Sequence, residues 1–346
     1  MAFLLTIVTF VSMKPLQYSF IVPVYNRPQE IDELLSSFCY LLGDLDYEIV
    51  IIEDGSTNSS KDVVSNYINR LHISYYYKTN SGPGDSRNYG MQKAKGNYYI
   101  ILDSDVILPE NYLIEVNEYL KSSFYHCFGG PDAAHESFTN LQKAINFTMT
   151  SFLTTGGIRG GSEKINKFQP RSFNMGLSKE AFKATLGFGK IHPGEDPDLV
   201  LRLQKLGYKT TLIPKAFVYH KRRISWTKFY KQVNKFGQVR PILTKWHPDS
   251  SKITYWLPSM FTVGLILAIC LTFLNNFYFI SIYGIYFLLV FILSFVSTKN
   301  VIVSLQSVLA ILVQFFGYGY GFLKTTVQLI LSNTAPEKLF PNLFFK

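Results

Sequence analysis

Three acidic clusters stand where carboxylates could do chemistry. Asp103-Ser104-Asp105 ends the apolar run Tyr98–Leu102 and is followed by another, 106–108. Two carboxylates two residues apart at a strand end can leave the strand and share a site. Oxygen ligands of this kind suit a hard divalent cation, Mg2+ or Mn2+, which can bridge to phosphates. Alone, the pair reads equally as a turn of solvated acids. Asp54 closes a second apolar run in Glu53-Asp54-Gly55-Ser56, and Glu195-Asp196 opens a helical stretch after Gly194. Acids in that position also complement the helix dipole.

The elements that must position these residues alternate in type. Apolar runs at 18–24, 47–52, 73–78 and 98–102 read as strands. Helical spacing covers 31–42, 61–71 and 82–95 between them, and later 111–121 and 197–206. The strands are short and almost wholly apolar, as in a parallel sheet covered on both faces by helices. Asn26, Asp54, Asp103 and Asp105 fall at their carboxyl ends, the edge where open α/β sheets bind ligands. Neither GxGxxG nor GxxxxGK[ST] occurs, so neither a dinucleotide fold nor a P-loop is indicated. The stretches 129–131 and 156–161 read as loops, and 210–219 holds one further strand.

The same motifs carry a resemblance. Pro23-Val24-Tyr25-Asn26, Glu53-Asp54-Gly55-Ser56, Gly82-Pro83-Gly84-Asp85-Ser86-Arg87-Asn88, Asp103-Ser104-Asp105, Asn174-Met175-Gly176 and Gly194-Glu195-Asp196-Pro197 occur in this order. Over roughly 19–243 the chain resembles the family 2 glycosyltransferases, an inverting group with a GT-A fold. The resemblance implies that Pro23, Tyr25 and Asn26 line the base and ribose pocket and that Asp54 accepts from the base, uracil by preference. It implies a base or phosphate contact for Arg87. Asp103 and Ser104 fall at the ribose or a metal-bound water, and Asp105 on the metal. Asp196, with Glu195, takes the position of the catalytic base. His220 resembles a third metal ligand or phosphate contact, Asn174 and Met175 a floor for sugar and acceptor, and Arg240 a basic phosphate or lipid contact. The bland alternatives are a turn aspartate at Asp54, a surface ion pair at Arg87 and a structural histidine at His220. Two departures stand out: Glu53 where many relatives have aspartate, and no QxxRW motif. The latter favours addition of one sugar over polymerisation.

Charge and hydropathy add a membrane. The net charge is +10, and ten lysines and arginines lie between Lys215 and Lys252, directly before a long apolar tail. A basic segment abutting apolar spans favours an anionic, cytoplasmic membrane surface. No motif supports a nucleic-acid partner. Segment 225–243 alternates basic with apolar residues and fits either a helix on the membrane surface or a core-packing stripe. Runs 255–274 and 277–296 have the length of bilayer spans, and 301–322 could span, re-enter or lie on the surface. The three cysteines are far apart, with neither a disulfide framework nor a zinc pattern. Residues 2–12 are apolar but too short to span, leaving Met13 as a second candidate start.

The expected organisation is therefore an extension (1–13), a GT-A catalytic domain (14–224), a basic interfacial segment (225–254), two to three transmembrane helices (255–331) and a tail (332–346). The expected fold is α/β, a nucleotide-binding mixed sheet flanked by helices and followed by C-terminal membrane helices. The expected activity is inverting transfer of one sugar from a nucleotide-sugar, a UDP-sugar by preference, with Mg2+ or Mn2+. The acceptor would be a lipid-linked or membrane-associated saccharide for a surface polysaccharide, in the inner membrane with the catalytic domain cytoplasmic. Alternatives are a polyprenyl-phosphate glycosyltransferase and a non-catalytic nucleotide-sugar-binding membrane subunit. Self-association stays open.

Overall fold

The structure is a computed structural model that describes residues 15–133, 138–155, 168–220 and 225–345. The expected extension, the whole 156–161 loop and the basic Lys221-Arg222-Arg223 lie outside them.

Strands β1 (Tyr18–Val24), β2 (Tyr47–Asp54), β3 (Ile73–Lys78) and β4 (Tyr98–Leu102) pair in parallel in the order β3-β2-β1-β4. Helices α1 (Pro28–Phe38), α2 (Lys61–Ser65) and α3 (Pro83–Lys93) make the crossovers. Side chains alternate across the pleat. Phe20, Val22, Ile49, Ile51, Tyr98 and Ile100 enter one core with α1 and α4 (Tyr112–Ser122). Ile21, Val50, Ile52, Tyr99 and Ile101 enter the other with α7 (Lys179–Thr185) and α8 (Glu195–Lys205). Burial on both faces is why these strands carry no polar alternation.

The sheet then changes direction. β8 (Asn174–Ser178) runs antiparallel to β4 and to β6 (Cys127–Gly129), and β9 (Thr210–Leu212) closes the edge. A second sheet of three short strands orders β5 (Val106–Ile107), β10 (Val218–His220) and β7 (Asp132–Ala133). Sequence patterning differs from this in four places. The 210–219 run divides at Pro214 into two strands of different sheets, because proline gives the ladder no donor. Gly129 belongs to a strand rather than a loop. Helix α2 is one turn instead of three, ending at Asn66, after which Tyr67 turns inward and its hydroxyl donates to Asp32 Oδ1 at 2.7 Å. Helix α1 starts at Pro28, suited to a first turn that needs no N–H there.

Helix α5 (Asn140–Thr150), the short α6 (Phe152–Thr155) and α9 (Trp226–Trp246) lead to α10 (Leu257–Thr272), α11 (Tyr278–Thr298) and α12 (Val301–Leu331). Three segments, Ile253–Thr272, Tyr278–Thr298 and Val301–Leu331, are long and apolar enough to cross a membrane. Their outer faces leave Ile285, Leu288, Leu305 and Leu309 exposed, a surface that water penalises and lipid does not. At about 1.5 Å per residue the 31-residue α12 exceeds a bilayer core of about 30 Å by half again. Its C-terminal half packs on α9, so the basic-apolar stripe of α9 is core packing against another helix. Gly237 lies against the backbone of Tyr318, and Gly321 against that of Asn234, with no room for a Cβ at either. Asn234 Nδ2 donates to Gly317 O at 2.8 Å across the contact. A short α13 (Pro336–Leu339) and a 3-10 turn, Pro341–Leu343, follow α12.

Because backbones touch at these glycines, Gly321→Leu must separate α9 from α12. The expected cost is about 1–3 kcal/mol, read as a lowered Tm of the detergent-purified protein, whereas Gly284→Ala, on open space in α11, should leave Tm unchanged.

Candidate active site

The carboxyl end of β4 delivers Asp103, Ser104 and Asp105. The second sheet then brings a partner from far along the chain, since Val106 pairs directly with His220. One ligand atom from each of Asp103, Asp105 and His220 lies within 4.8 Å of the others. Arg27 Nη1 donates to Asp105 Oδ2 at 2.5 Å. Asp105 Oδ1 lies 3.3 Å from His220 Nε2 yet has no hydrogen bond to a described residue, and His220 Nδ1 is likewise buried without one among the described residues. Burial alone would raise the Asp105 carboxyl, but the charges of His220 and then Arg27 hold it well below the usual carboxylate range. Burial would lower His220, and Asp105 outweighs it in raising that imidazole. Two carboxylates and an imidazole with unspent lone pairs fit a hard divalent cation. The ring of Phe173 stacks on His220 with centroids 4.8 Å apart.

A buried guanidinium joins this cluster to the second carboxylate pair. Arg87, on α3, donates through Nη2 to Asp103 Oδ1 at 2.8 Å and through Nη1 to Glu195 Oε1 at 3.2 Å. His192 Nδ1 is 3.0 Å from the same Glu195 oxygen. Glu195 is 5% exposed and held by these partners. Burial opposes its charge, but His192 and Arg87 bring its pKa below the ordinary glutamate value. Its neighbour differs. Asp196 Oδ2 accepts from the Ser172 N–H at 3.1 Å, while Oδ1 has no partner among the described residues. Burial, then the charge of Glu195, raises the Asp196 carboxyl against the pull of Arg87 and Arg171. One acid of the pair is thus committed to ion pairs and the other keeps a free oxygen and a raised pKa, as a general base requires.

The remaining expected residues separate into two groups. Asp54 holds the entry of α3: its oxygens accept from Lys78 Nζ (3.0 Å), Ser81 N (3.0 Å) and Gly82 N (2.9 Å). Asn26 has φ 55 and its Oδ1 accepts from the N–H groups of Thr57 and Asn58, stitching the first two strand ends together. Tyr25 beside it is 51% exposed, and Pro23 is half-buried in β1. Ser104 is buried. Asn174 and Met175, expected on the floor of the pocket, are fully buried in the sheet instead. Asn174 accepts from the Tyr112 hydroxyl at 2.5 Å and donates to Ala216 O at 2.8 Å, and Met175 packs in the core beneath α8. They are interior strand residues, which take this place because the sheet continues past β4.

A cavity of about 1250 Å3 connects these groups to the apolar helices. Arg87, Asp103, Glu195, Asp196 and His220 line it together with Phe261, Tyr286 and Phe315 from α10, α11 and α12. Arg171, Arg240, Lys231 and Lys252 lie along its walls. The Arg240 guanidinium sits 4.4 Å from the Tyr255 ring centroid. Arg27, Arg171 and His192 escaped the sequence reading. Only the arginine adjoining Asn26 carried a local cue, while Arg171 and His192 are loop residues whose role comes from folding.

Residues 19–186 match the model of glycosyl transferase family 2. The chain carries a family 2 glycosyltransferase domain. It is 36% identical over 93 residues to the poly(ribitol-phosphate) beta-N-acetylglucosaminyltransferase TarS of Staphylococcus aureus, covering 26% of this chain and 16% of TarS. It is 35% identical over 98 residues to an uncharacterized glycosyltransferase of Haemophilus influenzae, covering 28% and 38% of the two chains. These matches span well under half the length of those relatives. In overall shape it is similar to the mannosyltransferase PcManGT of Pyrobaculum calidifontis, solved with GDP-Man and Mn2+. That likeness has a TM-score of 0.56 at 14% identity, over 88% of each chain, and shows the GT-A fold.

Two outcomes follow for this site. Arg27→Gln removes a cation that sits on Asp105, so the protein should bind Mn2+ several-fold more tightly, and Asp105→Asn at least tenfold more weakly, by electron paramagnetic resonance of free Mn2+. Because the Asp196 carboxyl is raised, activity should fall as pH drops through a value above the ordinary aspartate pKa of 3.8. Asp196→Glu should move that acid limb without abolishing it.

Proposed function

We propose that this glycosyltransferase transfers one sugar, with inversion, from a nucleotide-sugar to a lipid-linked acceptor drawn from the membrane. The observation that carries this reading is a cavity lined both by Asp196, whose Oδ1 has no partner among the described residues, and by apolar residues of α10, α11 and α12. A soluble acceptor would need no such passage, whereas a lipid-linked one has its reactive head at Asp196 and its tail among Phe261, Tyr286 and Phe315. PcManGT, similar in fold, was solved with a nucleotide-sugar and Mn2+, which supports the same classes of donor and metal here, with a UDP-sugar the first choice from the motifs.

In the proposed reaction the nucleoside occupies the strand ends around Tyr25, Asn26 and Asp54. Asp103, Asp105 and His220 would hold Mg2+ or Mn2+, which supplies charge neutralisation to the donor diphosphate. Asp196 Oδ1 takes the proton of the acceptor hydroxyl as its oxygen bonds to the anomeric carbon from the face opposite the diphosphate. The bond from that carbon to the diphosphate oxygen breaks, and the nucleoside diphosphate leaves with the electron pair. Glu195, already paired with Arg87 and His192, keeps a fixed negative charge beside Asp196 and favours protonation there. Inversion follows from one displacement, so one base suffices. The cytoplasmic face of the inner membrane suits α9, whose Lys228, Lys231, Lys235 and Lys245 belong to the basic segment beside the spans.

A second reading has one observation in its favour. The Arg171 guanidinium lines the same cavity as Asp196 and Arg240. Burial pushes its pKa down, and Arg240 adds to that against the pull of Asp196. Two like charges converging on a cavity suit an anionic acceptor, in which case a polyprenyl phosphate is itself the nucleophile.

Calorimetric titration with UDP, and GDP in parallel, with and without Mn2+, tests the donor half. Metal-dependent binding lost in Asp105→Ala is expected, and absence of binding by both nucleotides would remove the transferase reading. With the donor in hand, Asp196→Asn should lower kcat about 10^2–10^4-fold with nucleotide Kd unchanged if the acceptor attacks through a hydroxyl. A polyprenyl phosphate needs no proton removed, so a small Asp196→Asn effect together with a large loss in Arg171→Gln would select the second reading.

A further inference from the structure

The chain beyond α12 turns back onto the catalytic domain. Leu343 is 2% exposed in a cluster with Ile191, Val239, Ile242 and Leu243, closed by Phe340, Phe344 and Trp246. Backbone pairing fixes its register. The His192 N–H donates to Leu343 O at 2.8 Å, the Phe345 N–H donates to Lys190 O at 3.0 Å, and Ile191 bridges Phe344 in antiparallel fashion. The segment therefore acts as a short extra strand on the loop that leads into Glu195-Asp196.

Its last ring touches both sides of the site. Phe345 lies against Gly82 so closely that a Cβ there would have no room. The Gly82 N–H is the donor to Asp54 Oδ2. The Phe345 ring also meets the His192 ring, with centroids 5.5 Å apart. His192 bonds Glu195, which pairs with Arg87, which pairs with Asp103. Loops around 80 and 190 are remote in sequence, and residues 343–345 touch both. Functional groups on loops need such a support, because displacement of about 0.5 Å already degrades a site.

We infer that residues 341–345 form a clasp that holds His192 against Glu195 and the Gly82 turn against Asp54, tying the geometry of the donor and base residues to the end of α12. His192 is in this assignment a positioning residue and touches no reacting atom. Any tilt of α12 is transmitted to both loops through a contact of five residues.

The test compares the full chain, a chain ending at Phe340, Phe345→Ala, His192→Ala and His192→Gln, all in detergent. The first readout is amide hydrogen exchange. Exchange in peptides spanning 79–86 and 188–196 should speed up at least tenfold in the truncated chain. In Phe345→Ala, which keeps the backbone pairing and the Leu343 cluster, only 79–86 should loosen. Unchanged exchange in both peptides would overturn the clasp. The second readout, nucleotide titration with Mn2+, rests on the transferase reading. Truncation and His192→Ala should each weaken UDP binding at least tenfold, and His192→Gln, which can still donate to Glu195, should stay within about threefold. Wild-type affinity in His192→Ala would overturn the positioning role. Failure of the full chain to bind UDP or GDP would remove the transferase reading alone, and the exchange data would still decide the clasp.

Discussion

Arg87 is 4% exposed and its guanidinium reaches two carboxylates from different parts of the fold, Asp103 at the end of β4 and Glu195 at the start of α8. Removing one partner of a buried ion pair costs about 3–5 kcal/mol, because the other charge is stranded. Here three charges would be affected together. The two contacts also tie the end of β4 to the start of α8 through one side chain on α3. Glu195 is committed by this contact and by His192, which leaves Asp196 as the carboxylate with a free oxygen. Two adjacent acids acquire different surroundings from His192 and Arg87.

The membrane side obeys a second constraint, the length of α12. A helix of this length is longer than a bilayer core, and its lower half must find a protein partner or water. It finds α9, through glycines that allow the two backbones to touch. That contact anchors the wall of the cavity on which Arg240 sits. Residues of the acidic cluster and of the apolar helices therefore line one cavity.

Much of this was legible from local pattern. Strands β1, β3 and β4 appear at the residues where apolar runs place them, since a strand buried on both faces has no polar alternation to confuse its bounds. Asp54, Asp103, Asp105 and Asp196 stand out because they interrupt or cap those runs. Asn174 and Met175 differ: a polar residue beside a short apolar run reads as a site, although Asn174 spends its amide on Tyr112 and Ala216 inside the sheet and Met175 packs in the core. Helix α2 was overextended because the spacing of Val64, Ile68 and Leu71 continues past the point where Asn66 ends the turn.

What the chain's sequence determined by itself was the type and order of its elements, the acids at the strand ends and the presence of long apolar helices. These depend on periodicity and on residue chemistry within a few neighbours. Only the tertiary structure decided which of those acids share a site. His220 reaches Asp105 because β10 pairs with β5, across more than a hundred residues, and the split between Glu195 and Asp196 comes from Arg87 and His192. The place of Phe345 over Gly82 had no sequence signal. Such contacts depend on the path of the backbone, and a linear pattern holds no record of which loops will meet.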